Sequence, residues 1–254
     1  MTPKFRKATF QGATGAKLAG RVDLPSGVSP KAYCLFAHCF TCNHNLKAIA
    51  YIVRTLTQAG LAVFRFDFTG LGDSQGDFAD TSFSTNVNDL VAAARFLEAD
   101  FEAPRLLIGH SFGGTASLQA AHLINSVRAV VTIGSPSDPR HVTQHFDGHL
   151  EQIKQQGQAQ IVLAGRPFTF KQQFLDDLQT VDMPRVLKTL RKPLLILHAP
   201  ADDTVNLEHA GKMFQAARHP KSFISLDQTD HLMTRSEDAC YVGRLIVAWA
   251  ERYI

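Results

Sequence analysis

Residues 109 to 113 read Gly-His-Ser-Phe-Gly, a G-x-S-x-G pattern between the apolar run "RLLI" and the helix-period segment "GGTASLQAAHLIN". A strand that turns abruptly into a helix strains the residue at its tip and crowds the positions two before and two after it, where only small side chains fit. Ser111 is therefore expected to project its hydroxyl clear of the sheet, over the positive end of the following helix. A serine hydroxyl is a poor nucleophile without a base, and an imidazole base needs a carboxylate to orient it, so the pattern predicts two further residues. They follow in the order serine, acid, histidine: an aspartate in "PADDTV" after the run "PLLILHA", and His231 in "TDHLM" after "SFISLDQ". Among the eleven histidines, His231 alone lies in a loop after the last predicted strand with a helix to come. His110 stands beside the nucleophile, His122 and His209 fall on helical segments, and His141, His145 and His149 belong to a separate stretch described below.

Two aspartates compete for the acid. The form H-G-x-x-D-x-x-V that recurs in serine hydrolases aligns with "HAPADDTV" and selects Asp202, with Ala199 in place of the usual glycine. Asp203 is then a solvated neighbour, and Asp230 a loop acid that orients its own turn.

The segment "HCFTCNHN", residues 38 to 45, follows the run "AYCLFAH". It occupies the place where a serine hydrolase on a parallel sheet keeps its H-G-x segment, whose backbone N–H joins that of the residue after the nucleophile to hold an oxyanion. By position the two donors are Phe40 and Phe112, and Cys39 stands where glycine is usual. Zinc is a competing reading, but four ligands from so short a loop give poor tetrahedral geometry and the second half of a bipartite zinc pattern is missing. A redox C-x-x-C formed by Cys39 and Cys42 near a helix start is another. The plainest reading is two small, half-buried side chains packing the loop.

These residues need elements to position them. The runs "AYCLFAH", "LAVFRFDF", "RLLIGHS", "AVVTIGS", "PLLILHA" and "SFISLDQ" are short, β-branched or aromatic, and alternate with segments of helical period. This is the pattern of a parallel sheet buried on both faces. The intervening segments, such as "NLKAIAYIVRTLTQAG" and "NVNDLVAAARFLEAD", are crossover helices, the first of them closed by Gly60. At the start, "KFRKATF" and "LAGRVDLP" flank "QGATG" and predict an antiparallel hairpin at the sheet's edge. The α/β core covers residues 1–136 and 191–254, and residues 137–190 insert far more chain than a crossover requires. That stretch reads as a small cap of one or more helices and a short hairpin. Its Phe146, Phe168, Phe170 and Phe174, with Cys39 of the "HCFTCNHN" segment, are candidates to wall a substrate pocket.

At 254 residues the chain can bury one large core. Its 26 basic and 23 acidic residues are evenly spread, which gives no footprint for nucleic acid or membrane. No apolar run reaches the roughly 20 residues of a membrane span, and the opening residues lack a secretory apolar region, so a cytoplasmic protein is expected. Four cysteines are too few for a disulfide scaffold, and most are expected reduced.

The segments "HCFTCNHNLKAIA", "VFRFDFTGLGDSQGDFADTSFSTNV", "LLIGHSFGG", "IGSPSDP", "GRPFTFKQQFLDD", "LHAPADDTV" and "ARHPKSFISLDQTDHL" carry a resemblance. Nearly the whole chain resembles the α/β-hydrolase superfamily and, within it, the bacterial hydrolase domain found fused to OsmC-like domains. The resemblance implies an α/β-hydrolase fold with a mostly parallel sheet, and a carboxylesterase acting on a small ester without metal or organic cofactor. It places Cys39 and Cys42 in the group's own oxyanion loop and names an OsmC-like domain, fused or separate, as a partner. In that setting Ser111, His231 and Asp202 form the triad, and an imidazole base makes activity rise through about pH 6 to 8. Lacking a large lid, the site is expected to prefer acyl chains of roughly two to six carbons. The alternatives are a thioesterase on the same triad, or a non-hydrolytic redox or binding module that uses Cys39 and Cys42 with an OsmC-like peroxidase.

Overall fold

The computed structural model describes residues 4–146 and 148–254. Strands β1 (Lys4–Gln11) and β2 (Lys17–Leu24) form the antiparallel hairpin, and β2 pairs antiparallel with β4 (Ala62–Phe66). From there the sheet is parallel: β3 (Tyr33–Ala37), β5 (Leu106–His110), β6 (Ala129–Ile133), β9 (Leu194–His198) and β10 (Lys221–Ser225). The order is β1-β2-β4-β3-β5-β6-β9-β10. This is the α/β-hydrolase fold, with the hairpin at one edge.

The central strands explain why their sequences are continuously apolar. In β3, Tyr33, Leu35 and Ala37 face one core while Cys34 and Phe36 face the other. The same division holds in β9, where Leu194 and Ile196 oppose Leu195 and Leu197. With both faces covered, every position gains by burial, at about 1.5–3 kcal/mol for each large apolar side chain. Helices α1 (Lys47–Gln58) and α8 (Ser236–Ala250) pack together over one face, and α2 (Phe83–Asp100) and α3 (Phe112–Ala120) over the other.

Helix ends depart from the periodic pattern where side-chain capping decides them. Helix α2 begins at Phe83 rather than at Asn86, because Ser82 and Thr85 form a reciprocal capping box. Helix α1 ends before Gly60, which takes the positive φ of +92° expected of a terminating glycine. Helix α8 stops at Ala250 and the remaining residues turn.

Between β6 and β9 lie a 3-10 stretch (Pro139–Phe146), α4 (His149–Gln156), the antiparallel hairpin of β7 (Gln158–Leu163) and β8 (Arg166–Lys171), α5 (Gln172–Gln179) and α6 (Met183–Thr189). Helix α5 is fastened to the start of α2 by Asp177, which accepts from Ser84 N–H at 2.8 Å and from Ser84 Oγ at 2.6 Å. After β9, α7 (Glu208–Ala216) leads to the last strand. Among the described residues, no helix is long and apolar enough to cross a membrane.

Candidate active site

Ser111 follows β5 directly and precedes α3, with φ 54° and ψ −129°. A side chain in that region costs about 1–3 kcal/mol and persists only where neighbours over-determine it. Here Ser111 N–H donates to Ile133 of β6 at 2.8 Å, and the turn is open only to glycine at its far side. A Cβ on Gly113 would stand 2.2 Å from the carbonyl oxygen of His38, so the elbow and the loop after β3 are in direct contact.

The loops after β9 and β10 bring the other two residues to Ser111. His231 Nε2 lies 3.1 Å from Ser111 Oγ, and His231 Nδ1 lies 2.8 Å from Asp202 Oδ2. Asp202 Oδ1 accepts from the backbone N–H groups of Val205 at 2.8 Å and Thr204 at 3.0 Å. Burial pushes the Asp202 carboxyl up, but the hydrogen bond from His231 and these N–H donors outweigh it and hold the group below its ordinary value. The carboxylate is thus an acceptor, which fixes Nδ1 as the protonated nitrogen and leaves Nε2 bare toward the Ser111 hydroxyl. All three residues are 8 % exposed. Asp203 is exposed and accepts from the hydroxyl of its neighbour Thr204 at 3.0 Å, while Asp230 accepts from Thr234 N–H at 3.0 Å within its own turn.

Phe112 is the first residue of α3, where a backbone N–H has no intrahelical partner. The Phe40 and Phe112 rings are 5.0 Å apart, so the two residues that carry the candidate donors pack together. Among the described residues, no carbonyl of a turn, loop or cap takes up either N–H.

The loop carrying Phe40 differs from the expectation in one respect: Cys39 and Cys42 are not reduced but joined in a disulfide. General cysteine counting speaks for scaffolds, not for a single local clip between residues three apart. Cys34 and Cys240 are free, and burial pushes the Cys34 thiol up to about 12. Among the described residues, no group of three or more His, Cys, Asp or Glu side chains is placed to hold a metal ion.

Several residues around this loop were not singled out by the sequence. His44 Nδ1 stands 2.8 Å from Asp67 Oδ2, and His44 N–H donates to Asp67 Oδ1 at 2.6 Å. Asp67 also accepts from Asp73 N–H at 2.9 Å. Burial raises its carboxyl, and these bonds bring it below the ordinary value. Behind it, Arg65 donates to the His44 carbonyl and to Asp23 at 2.9 Å. Their signal was present in "FRFDF": charged residues inside a strand buried on both faces require partners. Gly134, after β6, was also missed. It has φ +53°, and a Cβ there would come 3.2 Å from Asp202 Oδ2 and 3.3 Å from His231 Nδ1.

The aromatic candidates are brought together as packed core. Phe146 and Phe170 are 4.4 Å apart, Phe170 and Phe174 5.3 Å, and both Phe170 and Phe174 reach the Phe40 ring at 5.9 and 6.0 Å. Phe168 packs on Phe78 at 4.9 Å. Cys39 is buried and held in the disulfide.

The sequence matches the model of the alpha/beta hydrolase family over residues 34–241. The crystal structure of the esterase domain of a Rhodothermus marinus protein is 50% identical, with a TM-score of 0.80 over 98% of this chain and 99% of that one. Est1E from Butyrivibrio proteoclasticus, solved with ferulic acid, shares the fold at 19% identity and a TM-score of 0.81, over 97% of this chain and 99% of its own. The uncharacterized protein YfhR of Salmonella typhi is 25% identical over 242 residues, 88% of this chain and 73% of that protein.

Proposed function

Because the chain belongs to the alpha/beta hydrolase family, we propose that this hydrolase is a carboxylesterase working through Ser111, His231 and Asp202. The observation that carries the reading is the single imidazole that bridges the two others, at 3.1 Å to the Ser111 hydroxyl and 2.8 Å to the Asp202 carboxylate. As Ser111 Oγ attacks the acyl carbon, His231 Nε2 takes its proton, and Asp202 stabilises the resulting imidazolium. Negative charge grows on the carbonyl oxygen and is met by the N–H groups of Phe40 and Phe112, neutral dipoles that need no reorganisation as the charge develops. Collapse of the tetrahedral species expels the alcohol, protonated by His231. Water, activated by the same imidazole, then releases the acid and restores the serine.

In this reading the stretch 137–190 is the cap, and its phenylalanines set the size of the acyl group. Their close packing against Phe40 supports a small pocket and acyl chains of roughly two to six carbons. Hydrolysis of p-nitrophenyl acetate, butyrate and octanoate by the wild type and by Ser111→Ala tests both parts. A loss of about 10⁴-fold or more in kcat is expected for the variant, with acetate or butyrate cleaved faster than octanoate. Equal rates for the two proteins would remove Ser111 from the chemistry, and faster turnover of octanoate would remove the short-chain preference. A matching S-acyl thioester in the same assay shows whether oxygen or sulfur esters are preferred.

A further inference from the structure

The Cys39–Cys42 disulfide closes a ring of four residues, and Phe40 lies inside it. Those residues form a tight turn: Cys42 N–H donates to the Cys39 carbonyl at 3.2 Å, and Thr41 takes φ +59°. A turn with positive φ at its third position asks for glycine, and a β-branched residue there is disfavoured. The conformation that aims the Phe40 N–H is therefore not the one this sequence would adopt unaided. Non-covalent ties help: His38 Nδ1 lies 2.8 Å from the Cys39 carbonyl, and Arg166 from β8 donates to the Thr41 carbonyl. The Cys42 N–H to Cys39 carbonyl bond joins the two ends weakly, and the disulfide joins them covalently.

Building on the esterase reading above, we propose that the Cys39–Cys42 disulfide is a positioning element of the oxyanion hole, so that its reduction slows hydrolysis by letting the Phe40 N–H drift. The bond is within reach of small reagents, since Cys42 is half-buried while Cys39 is buried. A thiolate of a dithiol such as dithiothreitol attacks Cys42 Sγ, the Cys39–Cys42 bond breaks, and Cys39 leaves as a thiolate and takes a proton. The reagent's second thiolate attacks its own sulfur in the mixed disulfide, and Cys42 leaves and is protonated. Two electrons and two protons pass to the protein, and the dithiol becomes its cyclic disulfide. Oxidised glutathione reverses the change and leaves two equivalents of the reduced thiol.

The test uses the Cys240→Ser protein, in which the other half-buried thiol is removed, with Ser111→Ala as the blank. Activity on p-nitrophenyl butyrate is measured in the oxidised protein, after dithiothreitol, and after reoxidation, with circular dichroism and a thiol count in denaturant at each stage. Losing an oxyanion donor outright costs about 10²–10³ in kcat, and a donor that is only loosened should cost less, about 5- to 50-fold, with KM changed by less than about twofold. Affinity for a boronic acid mimic of the tetrahedral species should fall with kcat, and reoxidation should restore both. Cys42→Ser should sit at the reduced rate and ignore either reagent.

A kcat unchanged after complete reduction, with the Ser111→Ala blank inactive, overturns this proposal and leaves the esterase standing. A loss of kcat that tracks a loss of folded signal also overturns it, since the bond would then serve the fold and not the donor. No activity in the oxidised protein removes the esterase reading, and this proposal with it.

Discussion

The two halves of the site are held in different ways. Ser111, Asp202 and His231 each come within a few residues of a strand end, after β5, β9 and β10, and those strands lie in one parallel block with β6. Once the sheet forms, the chain has little choice about where they go. The loop proposed to hold the oxyanion also leaves a strand, β3, but then runs through an irregular turn whose shape depends on partners from distant segments: Asp67 after β4, Arg65 within it, and Arg166 from the β7–β8 hairpin. The first half is positioned by topology and the second by polar ties and a disulfide. Topology is robust to single substitutions, whereas ties of this kind are adjustable one at a time.

The largest test of that contrast lies on the topological side. Asp202→Asn should preserve the backbone of its loop while removing the acceptor that fixes the His231 tautomer, and kcat should fall by about 10⁴-fold. Asp203→Asn, one residue away and exposed, should leave kcat within about twofold, as is usual for surface changes. If the two variants exchange these behaviours in steady-state assays, the acid has been assigned to the wrong neighbour.

On the other side, Asp67→Asn keeps a carbonyl for one N–H but loses the charge that draws in the His44 ring and the second acceptor for the Asp73 N–H. The loop should loosen without being lost. The expected result is a fall in kcat of about 10- to 100-fold, below that of removing the donor entirely, with KM little changed. A kcat equal to wild type would show that the loop is held elsewhere. A loss as large as that of Asp202→Asn would erase the difference between the two halves.

The same contrast explains how much could be read from the sequence. Apolar runs of five residues, interrupted by helical periods, suffice to give the parallel sheet, because burial on both faces leaves few polar positions to confuse the pattern. The turn at Ser111 was equally visible, since its geometry requires glycine on both flanks, and Asp202 and His231 could be looked for after later strands because serine hydrolases of this fold keep that order. What the sequence hid was non-local. Nothing near Asp67 announces that it will meet His44, 23 residues earlier, although an acid and an arginine within "FRFDF" should have prompted a search for partners. The disulfide was visible as a spacing, but a C-x-x-C is compatible with metal, redox and packing roles alike, and only the folded turn distinguishes them. Gly134 carried no signal beyond ending an apolar run, because its constraint comes from Asp202 and His231 across the sheet edge.

The expected effect that leaves kcat aside concerns three buried histidines that serve both halves. His38 lies 2.8 Å from the Cys39 carbonyl, His110 Nε2 lies 2.8 Å from the carbonyl of His231, and His198 Nε2 lies 2.7 Å from that of Val205. Each ring pins its loop by donating a hydrogen to a carbonyl, and burial favours the neutral form by lowering all three below the ordinary imidazole value. His110 is the extreme case: burial, and after it the neighbouring His231 ring, push it down to about 3. A second proton would have to sit on Nδ1, which has no partner there. Because the folded value is the lower one, the unfolded chain takes up protons first as pH falls. The stability due to His110 is therefore whole above the unfolded value near 6.5 and declines from there to about pH 3. Within that window the His110 imidazole contributes a slope of about 1.4 kcal/mol per pH unit. Urea unfolding of the wild type and of His110→Asn at pH 7, 6, 5 and 4 measures it. Asparagine can still donate to the His231 carbonyl but does not titrate, so the variant's curve should be flatter by about that slope below pH 6.5. Parallel curves would mean that His110 accepts its proton in the folded state as readily as in the unfolded one.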